Sequence, residues 1–225
     1  MRSLYLTGLA AIVLLVATSV SFAGVIHEDF AYWYTDSGQT QTIFNPSTDW
    51  LNQNVGKLLI KVQQTVYDEA STTALLQENG DGTRSGFLYA YSVTNLYVGT
   101  PGDTSDKGIT RFNVNWTPAP LYVTTDKQQT LPNWVVDTSV TQPAWKWTSA
   151  ISPGIKPGRT VGGFWAVSNV GVDGVVNAGA LHVGPNGEET FNGKTTGPMV
   201  PDAPTFLSLA TGLMGLGLTR RLRRK

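Results

Sequence analysis

Phe87-Leu88-Tyr89-Ala90-Tyr91-Ser92-Val93-Thr94-Asn95-Leu96-Tyr97 decides the fold. Phe87, Tyr89, Tyr91, Val93 and, beyond Asn95, Tyr97 take alternate positions, with Ser92 and Thr94 among those between. Successive side chains of a strand point to opposite faces, so this spacing lays the large rings on one face. Ile109 to Trp116 repeats the pattern, with Phe112, Val114 and Trp116 on one face and Asn113 and Asn115 on the other. The stretch between, 99–108, is polar and rich in turn formers. The two segments are expected to be neighbouring antiparallel strands.

Working outward, further strands are expected at Val25–Tyr34, Lys57–Tyr67, Leu121–Thr125, Trp134–Thr138, Ala144–Ala150, Val161–Asn169 and Ala178–Val183. Pro and Gly punctuate them, as in Asn79-Gly80-Asp81-Gly82, Pro118-Ala119-Pro120 and Ser152-Pro153-Gly154. Only Asp68–Gln77 could pass as a short helix, and Ser71-Thr72-Thr73 weakens it. No regular repeat is evident, which disfavours a propeller or solenoid. Many short strands between such turns predict an all-β domain, an antiparallel β-sandwich over residues 24–198.

Charge and cysteine narrow the classes. The chain has 16 basic and 16 acidic residues. Arg2 and five cations at the C-terminal end account for six of the basic ones, whereas only Asp202 leaves the acidic side. The body is therefore negative by about five charges, the wrong sign for nucleic acid or an anionic lipid surface. Cysteine is absent, which removes thiol nucleophiles and Cys-based metal sites and leaves core burial to hold the domain.

Chemistry-bearing patterns are sparse. His27 and His182, the two histidines, have no partner motif and are expected to be ordinary strand residues. There is no Gly-x-Ser-x-Gly elbow, no His-Glu-x-x-His helix and no phosphate-binding glycine loop. His182 with Glu188 and Glu189 could bind a metal in principle, but Gly184-Pro185-Asn186-Gly187 between them has the composition of a turn. Asp81 resembles part of a calcium loop, yet the regular oxygen ligands and closing Glu are missing, and a plain turn is expected. Asp68-Glu69 and Glu188-Glu189 are adjacent, so extended chain splays each pair apart, unlike the converging carboxylates of a glycosidase. No metal and no cofactor is expected.

Aromatics are the surplus, with seven Trp. Trp145 and Trp147 share a strand face and are the candidate sugar-stacking pair. Filling the gap between two sheets is the competing, and favoured, use of such rings.

The ends carry the most specific signals. Arg2 precedes an apolar stretch from Leu4 to about Phe22, and Ser21 and Ala23 are small residues at the minus-three and minus-one positions of a cut before Gly24. That is the layout of a secretory signal at 1–23, read by signal peptidase. An uncleaved anchor is the other reading that the length allows. At the other end, Ala203 to Thr219 is 17 residues without a charge. As a helix it would reach roughly 25 Å, slightly short of the hydrocarbon core, and a buried core helix is the bland alternative. Gly212, Gly215 and Gly217 suit a membrane helix better than a water-facing one. Arg220, Arg221, Arg223, Arg224 and Lys225 then form a stop-transfer cluster, which stays on the cytoplasmic side while the body is exported.

Val200, Pro201, Asp202, Ala203, Pro204 and Thr205, then a short Gly/Leu helix, then the Arg cluster, resemble the PEP-CTERM class of bacterial sorting signals in its Val-Pro-Asp variant. The resemblance covers residues 200–225. Pro-Glu-Pro itself is absent, and Pro204 stands where the variant often has Gly or another small residue. The resemblance implies a membrane protease-transpeptidase, an exosortase, that cuts near the motif and passes the protein from the inner membrane to the cell surface or beyond. The body also resembles domains carried above such tails, through Val93-Thr94-Asn95, Trp145 and Trp147, Ile155-Lys156-Pro157-Gly158 and Gly163-Phe164.

The expected organisation is a signal peptide at 1–23, an extracellular β-sandwich at 24–198 and a sorting signal at 199–225. The expected function is a non-enzymatic surface or extracellular-matrix protein, with exopolysaccharide as a candidate partner. The alternative is a secreted carbohydrate-binding module. A third reading is a hydrolase with a site assembled from Asp and Glu.

Overall fold

The structure, a computed structural model, describes residues 24–97, 106–128, 133–149, 154–171, 173–184 and 187–199. The expected signal peptide at 1–23 and the sorting motif, apolar run and cation cluster at 200–225 lie outside the described residues. Among the described residues, no helix is long and apolar enough to cross a membrane.

Among the described residues, eleven strands, two short α-helices and one 3-10 turn (Val55–Lys57) follow one another. In chain order the first half is β1 (Val25–Asp36), β2 (Gln39–Phe44), α1 (Thr48–Asn54), β3 (Leu58–Tyr67), α2 (Glu69–Glu78) and β4 (Phe87–Asn95). The second half is β5 (Gly108–Val114), β6 (Tyr122–Thr125), β7 (Trp134–Val136), β8 (Ala144–Trp147), β9 (Thr160–Ser168), β10 (Asp173–Gly184) and β11 (Gly187–Pro198). They form two antiparallel sheets. One is ordered β2-β1-β3-β4-β9-β6 and the other β11-β10-β5-β8-β7. The sheets face one another across a common core.

That core explains the alternation. Tyr89, Tyr91 and Val93 of β4 and Phe112 and Val114 of β5, with Trp116 just beyond it, are buried in one cluster. Trp33, Trp145 and Phe164 join them, each with no exposed surface. Burying a large apolar side chain is worth about 1.5–3 kcal/mol, so these few rings dominate the inter-sheet adhesion.

The expectation that β4 and β5 are hydrogen-bonded neighbours is corrected. β4 pairs with β3 and β9, whereas β5 pairs with β10 and β8. The two strands instead look at each other across the core, with Tyr89 against Trp116 at 5.1 Å and Tyr91 against Phe112 at 6.0 Å. Alternation fixes which face is apolar, not which strand lies alongside. The polar stretch between them is long enough to change sheets.

Asp68–Gln77 is helical after all, as α2. Asp68 caps it by accepting the Ser71 amide at 2.7 Å. The hydroxyls that lower helix propensity have partners: Ser71 Oγ accepts the Gly24 amide at 2.6 Å, and Thr72 Oγ1 accepts the Leu88 amide at 2.9 Å. Leu75 and Leu76 lay the helix over Leu88, Trp165 and Val167, on the outer face of the first sheet. α1 and strands β2 and β11 have no counterpart among the expected elements.

The register also places the two ends of the body. The Trp33 indole donates to the Lys194 carbonyl at 2.8 Å, and the Thr196 hydroxyl donates to Gln64, which sits opposite Asp29. β1 and β11 therefore run in opposite directions across the core. Val25, where β1 starts, and Pro198, where β11 ends, lie at the same pole.

Candidate functional site

Trp145 of β8 is fully buried, stacked on Phe112 at 5.9 Å and 14° and tilted against Phe164 at 5.4 Å. Its indole N–H donates to the Thr124 carbonyl at 2.8 Å. Trp147 is half-buried and packs edge-on against Trp134 at 5.8 Å. The favoured use of these rings, filling the gap between the sheets, describes Trp145, and the candidate sugar-stacking pair Trp145 and Trp147 is left without a free face at Trp145. The outward aromatic row lies elsewhere, at Phe30, Tyr32 and Tyr34 of β1, which alternate with buried Ala31 and Trp33. Lys61 already covers Phe30, its amine 4.5 Å from the ring centre, and Tyr34 meets Trp50 edge-on at 5.0 Å.

The remaining body pieces of the resemblance meet at one corner. Asn95 is fully buried, and its amide donates to the Ile155 carbonyl at 2.8 Å while its Oδ1 accepts the Tyr97 amide at 3.0 Å. Its backbone carbonyl accepts the Gly158 amide at 2.7 Å and its own amide donates to Arg159 at 3.0 Å. Gly158 supplies the positive φ of 75° that this turn requires. Val93-Thr94-Asn95 and Ile155–Gly158 are thus one structural clasp, and Phe164 packs on Trp145 beside it. These residues hold the fold.

Two buried carboxylates are similarly committed. Asp81 accepts hydrogen bonds from Lys127, Asn79, Tyr122 and Thr124. Burial pushes its carboxyl up, but the bonds from Lys127, Asn79 and Thr124 and the Lys127 charge outweigh it and hold the group below the usual carboxylate range. Both oxygens are taken by protein donors, so the segment is a turn tied to β6. Asp137 lies beyond β7, 3% exposed at its side chain. The Ser139 hydroxyl at 2.6 Å leads in lowering its carboxyl. Against the cost of burial, the Ser139 amide, Lys146 at 3.3 Å and Arg111 at 2.8 Å bring it to about 2.

The histidines are apart. His27 is on β1 with Nε2 2.7 Å from Asp29. His182 is buried on β10 against Tyr97 at 5.0 Å. Its Nε2 lies 3.1 Å from Asp106 Oδ1 but out of line for a hydrogen bond. Gly184 pairs with Gly187 to close the β10–β11 hairpin, and Glu188 and Glu189 are exposed on β11. No group of three metal-ligating side chains occurs among the described residues.

What the structure does assemble is a groove of about 410 Å³ on the outer face of the second sheet. Two rungs floor it. Asn113, Gly179 and Asn192 lie opposite one another across β5, β10 and β11. Next to them Asn115, Asn177 and Lys194 form the second rung, with the Asn115 amide donating to the Asn177 carbonyl at 2.8 Å. Thr40, Gln41 and Thr42 of β2 make the wall, because the Lys194 amide donates to Thr42 Oγ1 at 2.9 Å and draws β2 against β11. Asn113 and Asn115 were legible as the outward residues of their strand. Asn192 and Lys194 were not, since β11 carries no alternation to announce it, and Asn177 falls one residue before the strand expected at Ala178–Val183.

No family model matches the chain, and no curated protein or solved structure matches it.

Proposed function

We propose that the chain is a non-enzymatic exported protein of the cell surface or extracellular matrix, delivered by an exosortase-like sorting system. The three-part tail at 200–225 and the signal-like segment at 1–23 support this reading from the sequence. The structural observation that carries it is the seating of Gly24. Its amide nitrogen sits 2.6 Å from Ser71 Oγ and its carbonyl accepts the Asp68 amide at 3.0 Å. A Cβ at this position would fall 2.2 Å from the Asp68 carboxylate. This seating would suit a chain start: cleavage after Ala23 would leave an ammonium near a carboxylate and a hydroxyl, with no side chain to clash.

Neither of the two buried carboxylates suits the general acid of the hydrolase reading. A general acid must hold a proton near neutral pH, and both Asp81 and Asp137 are driven the other way.

The tail supplies the test, in a host that carries the sorting machinery. Pro201→Ala with Asp202→Ala removes the recognition element, and uncut precursor is expected to stay in the inner membrane. Replacing the five terminal cations with Ser removes the stop, and unprocessed protein is expected beyond that membrane. Mass spectrometry of the parent should give a mature protein starting at Gly24. Parent-like processing and location in both variants would sink the proposal.

A further inference from the structure

The groove on the second sheet is built from residues that strands avoid. Asparagine and glycine are depleted in strands, on a scale spanning about 1 kcal/mol per residue. Yet Asn113, Asn115, Asn177, Asn192 and Gly179 converge on neighbouring strands of one sheet face. Their opposite faces obey the ordinary rule, with Phe112, Val114, Ala178 and Ala180 buried in the core. Packing therefore sets the inner face, and something else sets the outer one.

The amides there have little to bind within the protein. Among the described residues, Asn113 donates to Asn115 at 3.3 Å, and the side chains of Asn177, Asn192, Gln41 and Lys194 make no hydrogen bond. Each Asn amide offers two donors and an acceptor, so the floor presents paired donors and acceptors at the spacing of adjacent strands. Gly179 deepens the floor between two asparagines, because a Cβ there would come within 2.8 Å of Asn113 Oδ1. Glycine inside a strand marks a place where a ligand or another chain comes close. The volume lies within the range of small-molecule sites. Lys194 is the one charge of the lining, which contains no carboxylate, although the body as a whole is negative.

We propose that this groove binds an acidic saccharide chain, the Asn113, Asn177 and Asn192 amides pairing with ring hydroxyls and Lys194 facing a sugar carboxylate. Vicinal hydroxyls act as donors and acceptors together, which suits side-chain amides. Without a carboxylate in the lining, a metal ion or a basic peptide has nothing to hold it. The inference rests on the export reading only for where such a ligand is met.

Full-length chain in mild detergent, titrated calorimetrically with oligogalacturonate and separately with a neutral cello-oligosaccharide, tests it. Oligogalacturonate is expected to bind at least tenfold more tightly, and added salt should narrow the difference. Lys194→Gln is expected to abolish that preference. Gly179→Val fills the floor, and Asn177→Val with Asn192→Val removes the amides. The asparagine-to-valine changes favour strand structure, so the unfolding midpoint of that variant should hold or rise, whereas Gly179→Val requires the Asn113 side chain to move aside. In both, binding should fall at least tenfold. Equal binding of the two sugars, no binding of either at millimolar concentration, or parent-like binding by the filled variants would overturn the proposal. Tail processing is read independently, so failure here leaves the delivery reading standing, and mis-sorting leaves the binding result standing.

Discussion

Asp137 shows how much one side chain can carry in a domain without disulfides. Its carboxyl lies at about 2 in the folded protein against 3.8 as a free group. A carboxyl depressed by folding stabilises fully above its unfolded value, and that contribution is lost as pH falls toward the folded value. At 1.36 kcal/mol per unit, the contribution at neutral pH is roughly 2 kcal/mol. Asp137→Asn should therefore lower unfolding stability by about that amount at pH 7. The gap between parent and variant should shrink between pH 4 and pH 2, as urea midpoints across that range would reveal. A gap that stays constant with pH would mean that the carboxylate acts by shape alone. None of this was legible in the sequence. Arg111, Asp137 and Lys146 come from three strands or their margins, and only the β5–β8–β7 order brings them together.

Elements were legible where apolar residues alternate and illegible where they do not. β1, β3, β4 and β5 bury mainly one face each, so their period of two is written in Val, Ile, Tyr and Phe. β9 is buried on both faces from Gly163 to Ser168 and was legible as an apolar run instead. β11 runs from Gly187 to Pro198 with Phe191 as its sole large apolar residue, yet it pairs with β10 along its whole length. Its strand state comes from the hairpin and from ladder hydrogen bonds, which leave no mark in side-chain hydropathy. The same gap hid half of the groove. α2 was legible only in outline, since Ser71, Thr72 and Thr73 oppose a helix until their partners are known. Asp68 caps that helix and neighbours the Gly24 socket, so Asp68→Ala should cost about 1–2 kcal/mol. Hydrogen exchange should localise the loss to α2 amides, at least tenfold faster than in the parent. Uniform acceleration across both sheets would contradict a local role.

As a whole, the described body coheres through rings packed between two sheets, in a chain without cysteine. Residues 24–198 produced alone should give a strand-dominated far-UV spectrum and one cooperative unfolding transition, unchanged by chelator or reductant. A helical spectrum, or a midpoint lowered by chelator alone, would refute this. The shared pole of Val25 and Pro198 has a geometric consequence for a protein held at its C-terminal end. Seven residues separate Met199 from the apolar run beginning at Phe206, inclusive of Phe206, a tether of roughly 25 Å at full stretch. Lys194 and Asn192 lie four to six residues up β11 from Pro198, or about 13–20 Å along the strand. Under the delivery reading proposed above, an embedded tail would keep the groove within about 50 Å of the lipid. Cutting the tail, as that reading requires, would lift this ceiling and let the same groove reach a ligand well beyond the membrane.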